Sequence, residues 1–170
     1  MTSTPAATFP SGTIHRIHPE DALREKEIVQ LTVGVLDADA VAVFTEGWCW
    51  ALAVALEART GWPIVLLVTS HGLWVHAGVR RPDGKVVDIE GPSDPETWVR
   101  KWEARERQRL HDDGASGTLT ACRASAAQRY TFGLLCGSIE DEALAIAGTF
   151  VEAVLQLRLP SPTVYNRRAS

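Results

Sequence analysis

The chain has 170 residues, of which 45% are hydrophobic and 22% charged, and its formal net charge is -4 at neutral pH. This length suits a single domain with one core. The charge balance lacks the dense basic surface that binds nucleic acid or an anionic membrane, so we expect neither as a partner. No apolar run reaches the roughly 20 residues of a membrane span, and the first residues lack the pattern of a signal peptide.

The cysteines predict a reducing compartment. Cys49, Cys122 and Cys136 form an odd, sparse set without the close spacing of a zinc knuckle or a disulfide framework. His15 and His18 have a spacing that can bind a metal, but no further ligand lies near them in the sequence. We therefore predict a cytoplasmic protein without a metal or organic cofactor, although export by a dedicated secretion system stays open.

The N-terminal third begins with a segment that has few large apolar side chains to bury in a core. Residues 1–17 are rich in Thr, Ser, Pro and Ala, which predicts a flexible tail before a single domain over residues 18–160. Residues 19–36 have the apolar spacing of an amphipathic helix, although a β-branched stretch near Val33 favours an early end. After a break at residues 37–39, a short apolar run leads to a glycine turn.

The centre of the chain predicts a buried helix followed by a strand. Residues 48–59 are apolar on nearly every face, which in a globular protein indicates packing on several sides. Gly61 suits the C-terminal cap, and Pro63 prevents the helix from continuing. Residues 64–68 are a continuous apolar run that predicts a buried strand.

The next two segments predict a β-hairpin. Residues 72–81 and 85–90 alternate in the manner of strands, and the Pro82–Gly84 stretch between them suits a three-residue loop with Gly84 in the left-handed conformation. That loop pairs Arg81 with Lys85, so counting back along the strands places Val79 opposite Val87.

The same register brings the polar residues of the hairpin to one face. Gly78 then lies opposite Asp88 and His76 opposite Glu90, while the aliphatic residues share the other face. Because Gly78 has no side chain, it leaves space between His76 and Asp88 for a hydrogen bond. A register shifted by one residue would bury Asp88 among aliphatic side chains, at a cost of several kcal/mol for the charged form.

The C-terminal part predicts further helices. Asp94 and Pro95 open a charged helix that runs to about residue 111, with Trp98 and Trp102 in its inward stripe. A short strand at residues 118–122, a short helix at 126–136 and a final helix from Ser138 follow, before a loose tail at residues 161–170. The predicted fold class is α+β, with a central buried helix packed on a small antiparallel sheet and flanking helices.

Cys49 has the position of an activated nucleophile. It lies in the opening turn of its predicted helix, where unpaired amides and the helix dipole favour a thiolate by roughly 0.3–1 kcal/mol. Gly47 lets the backbone approach a substrate closely and leaves amides for an oxyanion hole. With His76 as general base and Asp88 as the acid that orients it, the three residues form a possible catalytic triad.

The order Gly47-Trp48-Cys49-Trp50 at a helix start, then histidine on one strand and aspartate on the next, resembles the papain-like cysteine enzyme superfamily. The resemblance is to the transglutaminase-like and NlpC-type branches and covers residues 44–91. It implies a papain-like core and a Cys49-His76-Asp88 thiol hydrolase or acyltransferase. Such an enzyme acts as a peptidase, deamidase or transglutaminase on an amide or thioester bond of a protein or peptide. The papain branch itself does not fit, since no glutamine shortly precedes Cys49.

Several alternatives remain at this stage. Glu90 rivals Asp88 as the orienting acid, and His71 is a weaker candidate for the base. Trp48 and Trp50 are equally suited to lining a substrate cleft and to packing in the core. A non-catalytic module with the papain-like fold could instead use a tryptophan-lined groove to bind a protein or peptide.

Overall fold

The computed structural model describes residues 12–17, 29–107, 118–128 and 137–157. Within these ranges the chain has the predicted mixed α+β fold, built on a five-stranded antiparallel sheet and a separate two-stranded ladder. The strands are β1 (Ile14–Ile17), β2 (Val29–Thr32), β3 (Ile64–Thr69), β4 (Trp74–Arg80), β5 (Val86–Asp88), β6 (Gly91–Ser93) and β7 (Leu119–Arg123). The longer helices are α1 (Ala38–Thr45), α2 (Cys49–Thr60), α3 (Pro95–Arg105) and α4 (Gly137–Gln156).

The predicted hairpin register is confirmed. In the sheet order β6-β5-β4-β3-β7, Val79 pairs with Val87, and the Arg81 amide donates to the Lys85 carbonyl at 2.8 Å. Gly84 has a φ of 86°, the left-handed conformation that the three-residue loop requires. The loop chemistry therefore fixes which residues of β4 and β5 share a face.

The second strand of the hairpin is shorter than predicted. β5 ends at Asp88, and the chain then turns back as β6, so that Asp88 pairs with Gly91. Gly91 has a φ of 93°, which permits this tight reversal. The turn takes Glu90 out of the strand, so the predicted pairing of His76 with Glu90 was wrong.

Helices cover both faces of the sheet. On one face, Leu66, Ala77 and Val79 share a core with Leu52 of α2 and Phe150 of α4. On the other face a second core contains strand and α3 residues, namely Val65, Leu67, Val86, Trp98, Trp102 and Leu119. The face of the sheet that carries His76 and Asp88 is therefore covered by α3 and is not open to solvent.

The N-terminal predictions require correction. Ile14–Ile17, within the predicted tail, forms β1, and Val29–Thr32, within the predicted helix over 19–36, forms its antiparallel partner β2. β-Branched residues favour the extended conformation, which explains a strand at this end of the predicted helix. Residues 1–11 and 18–28 lie outside the described residues, as does the predicted tail at 161–170.

The short apolar run before the glycine turn is helical. It forms α1, whose N-cap is Asp37, since the Asp37 carboxylate accepts a hydrogen bond from the Ala40 amide at 2.9 Å. α2 follows after the turn at residues 46–48.

Among the described residues, no single helix has the length and hydrophobicity to span a membrane. α1 and α2 pass that test only as a pair, and the chain bends by 97° between them.

The remaining elements follow the sequence closely. α2 ends at Gly61, whose φ of 72° makes it the predicted left-handed cap, and α3 begins at Pro95 after Asp94. β7 and the final helix, α4, also form where predicted. Residues 126–128 are helical, and the rest of the predicted helix over 126–136, including Cys136, lies outside the described residues.

Candidate active site

Cys49 is the first residue of α2, and its backbone environment is that of a helix N-terminus. The first hydrogen bond of α2 runs from the Leu52 amide to the Trp48 carbonyl at 3.2 Å, so the helix itself leaves the amides of residues 49–51 unpaired. The Trp48 amide is used elsewhere, since it donates to the Val43 carbonyl at 3.1 Å. Cys49 is only 4% exposed.

His76 and Asp88 form a buried pair beneath α3. The His76 Nε2 atom lies 3.1 Å from the Asp88 Oδ2 atom, and the side chains are 0% and 2% exposed. An ionised carboxylate only accepts, so His76 donates from Nε2. The Nδ1 atom is then the ring nitrogen left for another partner, and no described residue makes a hydrogen bond of standard geometry with it.

Cys49 is near enough to His76 to change its protonation. Burial is the largest influence and by itself lowers the pKa of His76, because it disfavours the charged ring. The charge of Cys49, the hydrogen bond with Asp88, a polar interaction with the Cys49 side chain and the charge of Asp88 together outweigh burial and raise the pKa of His76 to about 9. The thiol therefore lies close to the ring, although short of a standard hydrogen bond in this conformation.

Asp88 is held in its ionised form by several donors. Burial alone would raise its pKa, but the hydrogen bond from His76, the charge of His76, a hydrogen bond from Trp98 and the charge of Lys101 lower it. The Trp98 Nε1 atom donates to Oδ2 at 2.7 Å, and the Glu90 amide donates to Oδ1 at 2.9 Å. Both carboxylate oxygens are thus occupied, which fixes the orientation of Asp88.

Two tryptophans of α3 belong to this site, although the sequence analysis assigned them only to the core. Trp98 binds Asp88, and Trp102 stacks on His76 with ring centroids 3.7 Å apart and an interplanar angle of 24°. Trp98 and Trp102 are four residues apart and so share one helix face. The signal that could have identified them is a pair of indoles predicted to cover a strand face that also carries a histidine and an aspartate.

Glu90, the alternative acid, is not placed beside His76. Its carboxylate forms ion pairs with Lys101 and, at 3.5 Å, with Arg105, and its side chain is 25% exposed. The contribution of Glu90 to the site is its backbone amide, which binds Asp88. Asp88 is therefore the carboxylate that contacts the imidazole.

The residues predicted to line a cleft differ in their placement. Trp50 is 8% exposed and belongs to the core, whereas Trp48 is half-buried and packs edge-on against Phe44 with centroids 6.5 Å apart. Gly47 is half-buried in the turn before α2. His71 is exposed beyond the end of β3. Gly47 and Trp48 are thus the more exposed of the residues beside Cys49, whereas Trp50 is a core residue.

Two clefts among the described residues lie away from this site. One, of about 630 Å³, runs between α2 and α4 and includes Val54, Leu144 and Val151. Another, of about 640 Å³, lies beside the hairpin loop and includes Arg81 and Lys85. Neither is lined by Cys49, His76 or Asp88. Within the described ranges, no cluster of three or more His, Cys, Asp or Glu side chains could hold a metal ion.

Comparisons with protein-family models, curated proteins and solved structures found no match to this chain. The geometry of the site and the residue pattern of the sequence are therefore the basis for assigning a function.

Proposed function

We propose that the protein is a papain-like thiol hydrolase or acyltransferase that uses Cys49, His76 and Asp88 on an amide or thioester bond. The observation that carries the proposal is the buried, hydrogen-bonded pair of His76 and Asp88, together with Cys49 at the first position of α2 and near enough to His76 to raise the pKa of the ring. A nucleophile, a base and an orienting acid in this order are the parts that acyl transfer needs.

The first step begins with His76 as imidazolium and Cys49 as thiolate. The sulfur attacks the carbonyl carbon, and as the tetrahedral intermediate collapses, the leaving amine or thiol takes the proton from His76. The acyl group is then bound to the sulfur as a thioester. In the second step, His76 removes a proton from water or an acceptor amine, which attacks the thioester and releases Cys49.

Asp88 remains ionised throughout this sequence. Its hydrogen bonds from Trp98 and from the Glu90 amide keep the carboxylate in place, and the Nε2–H of His76 can donate only to a carboxylate so positioned. Asp88 therefore fixes the ring orientation that leaves Nδ1 for the thiol. The oxyanion would be stabilised by amides at the start of α2, and since the Trp48 amide already binds Val43, we assign this role to the amide of Cys49.

The limited exposure of Cys49 restricts the substrate. At 4% exposure the sulfur cannot meet a bulky, folded substrate, whereas an extended acyl group could approach over Gly47 and the half-buried Trp48. We therefore assign the enzyme a narrow acyl donor such as an unbranched side chain or chain end.

The test compares the pH dependence of Cys49 alkylation with that of an ordinary thiol. In a Cys122→Ser/Cys136→Ser background, Cys49 is the only thiol left to react with iodoacetamide. An ordinary thiol reacts roughly 100-fold faster at pH 8 than at pH 6, because the thiolate is the nucleophile. A thiolate held by an imidazolium should change less than about fivefold over that range. Using the ratio of the two rates removes the effect of restricted access.

A second measurement tests the chemistry itself. With p-nitrophenyl acetate, the protein should release a burst of about one nitrophenol per chain and carry an acetyl group on Cys49, detected by mass spectrometry. Cys49→Ala should abolish the adduct, and His76→Gln should slow its formation by at least about 100-fold. A 100-fold alkylation ratio together with no acyl adduct would reject the enzyme.

A non-catalytic binding module is the second candidate, and the near-complete burial of Cys49 and His76 favours it. In that case Cys49→Ser would leave function intact, and the alkylation ratio would be that of an ordinary thiol. The same experiment therefore separates the two candidates.

A further inference from the structure

Among the described residues, the closest ring contact of His76 is made by a residue outside the proposed triad. Trp102 lies nearly parallel to the imidazole, with centroids 3.7 Å apart, and both side chains are buried. Trp98 makes a looser contact, tilted by 51° with centroids 5.8 Å apart. The two indoles thus differ in function, since Trp98 binds Asp88 through its N–H and Trp102 meets His76 through its ring face.

The Nε1 atom of Trp102 is buried without a hydrogen-bond partner among the described residues. A buried, unpaired N–H costs free energy that a phenylalanine at this position would not incur. The polar group of the indole is therefore not what the site uses. What a tryptophan offers beyond phenylalanine here is a larger and more electron-rich face, the property that attracts a cation.

We infer that Trp102 is a positioning residue for His76, which holds the imidazole in the orientation that serves both Asp88 and Cys49 and stabilises its charged form. The inference rests on the proposed function only in so far as His76 acts as the acid and base. Stacking restricts rotation of the ring about its Cβ–Cγ bond, so Nε2 stays directed at Asp88 while Nδ1 stays available for the thiol.

Other charged groups near His76 also influence the charge of its ring. Cys49 of α2 and Asp88 of β5 favour the imidazolium, and Lys101 of α3 favours the ionised form of Asp88. Arg105 is a second cation on the same indole, with its guanidinium carbon 4.7 Å from the Trp102 ring centroid. Arg105 also pairs with Glu90, which offsets part of its charge.

The test is the pKa of His76 in variants of Trp102, measured from imidazole nitrogen shifts between pH 5 and 10. The His76 signal is assigned by its loss in His76→Gln, since the chain has 5 histidines. Trp102→Leu removes the aromatic face and should lower the pKa of His76 by about one unit, and Trp102→Phe by about half as much. Phe150→Leu, in the core on the other face of the sheet, serves as the control for lost packing and should leave the pKa of His76 unchanged.

If the Trp102→Leu variant does not fold, a second measurement tests the same inference. Replacing every tryptophan by 5-fluorotryptophan keeps the ring shape and withdraws electron density from its face, so the pKa of His76 should fall by a few tenths of a unit. The Trp98→Phe background removes the contribution of the other indole. Equal His76 pKa values in the native and fluorinated proteins, or in Trp102→Phe and the native protein, would overturn the inference.

These measurements need no enzymatic activity, so their failure and that of the proposed function are distinct. If Cys49 proves unreactive but the pKa of His76 follows the series Trp, Phe, Leu, the stack is real and the enzyme assignment fails. If Cys49 is acylated but the pKa of His76 is the same in all three proteins, the enzyme stands and Trp102 is only a packing residue.

Discussion

Replacing Cys49 by alanine should lower the pKa of His76 from about 9 by more than one unit, toward the ordinary value of 6.5. The direction follows from the order of the contributions. After burial, which lowers the pKa, the charge of Cys49 is the largest influence and raises it, and it exceeds the hydrogen bond with Asp88.

Cys49 and Asp88 both raise the pKa of His76 against the effect of burial, and the charge of Cys49 is the largest of these raising influences. Without Cys49, a fully buried imidazole keeps only Asp88 to stabilise its charge. Cys49→Ala removes little volume from a site where the thiol is 4% exposed, so the His76–Asp88 pair should keep its geometry.

The assay is again the titration of the His76 ring nitrogens. Cys122→Ala is the matched control, because Cys122 is the other described thiol and lies on β7, paired with Leu66 and away from His76. A His76 pKa in Cys49→Ala within about 0.3 units of the native value would refute the close approach of the thiol and ring. A shift of the same size in Cys122→Ala would mean that the change is not specific to the site.

Three further substitutions test the support of the site by stability measurements. Asp88→Asn should lower the free energy of unfolding by about 3 kcal/mol at pH 7. Because the folded pKa of Asp88 lies below its ordinary 3.8, this difference should persist above pH 4 and vanish as the pH falls through the folded pKa, as urea titrations at several pH values would reveal. Trp98→Phe removes the 2.7 Å hydrogen bond to Oδ2 and should cost about 1.5–3 kcal/mol at neutral pH, while moving the acid-unfolding midpoint upward; an unchanged midpoint would contradict that bond. In Gly78→Ala, the new Cβ would lie 2.8 Å from the Val87 carbonyl oxygen and 3.3 Å from the Trp98 ring, which should destabilise the protein by about 1–3 kcal/mol in thermal melts. Gly148→Ala in α4 meets nothing within 4 Å and should be neutral or stabilising, so equal losses in the two glycine variants would refute the steric argument.

The hairpin was predictable from sequence because its loop has specific chemistry. A left-handed glycine at position 84 fixes the pairing of Val79 with Val87, and the alternation of side chains then brings His76 and Asp88 together. The helix that presents Cys49 was predictable for a similar reason, since Gly61 and Pro63 limit it at one end and the glycine turn at the other. Local signals of this kind do not depend on the rest of the fold.

The predictions that failed concern partners distant in sequence. Val29–Thr32 forms a strand because Ile14–Ile17 pairs with it, and the local apolar spacing favours a helix until that partner is known. Nothing in the hairpin itself indicates that α3 covers the face that carries His76 and Asp88. Trp98 and Trp102 could be assigned to an inward stripe, but the groups that they meet depend on the packing of α3 against β4 and β5.

A buried pair such as His76 and Asp88 can serve either the reactivity of Cys49 or the stability of the fold. A double substitution distinguishes these two roles. His76→Leu leaves the Asp88 charge buried with one donor fewer, and breaking such a pair typically costs about 3–5 kcal/mol. Adding Asp88→Leu removes that charge and should recover most of the loss in urea unfolding, except for about 1–3 kcal/mol from the buried Trp98 N–H, which then has no acceptor. The Glu90 amide also loses its acceptor, but Glu90 lies in an exposed turn where water can replace the carboxylate. Recovery would mean that an apolar pair serves the fold nearly as well, so that the charged pair is there for what it does to Cys49. A double variant as unstable as the sum of the two single variants would instead mean that the pair holds α3 to the sheet, and the proposed enzymatic role would lose its main support.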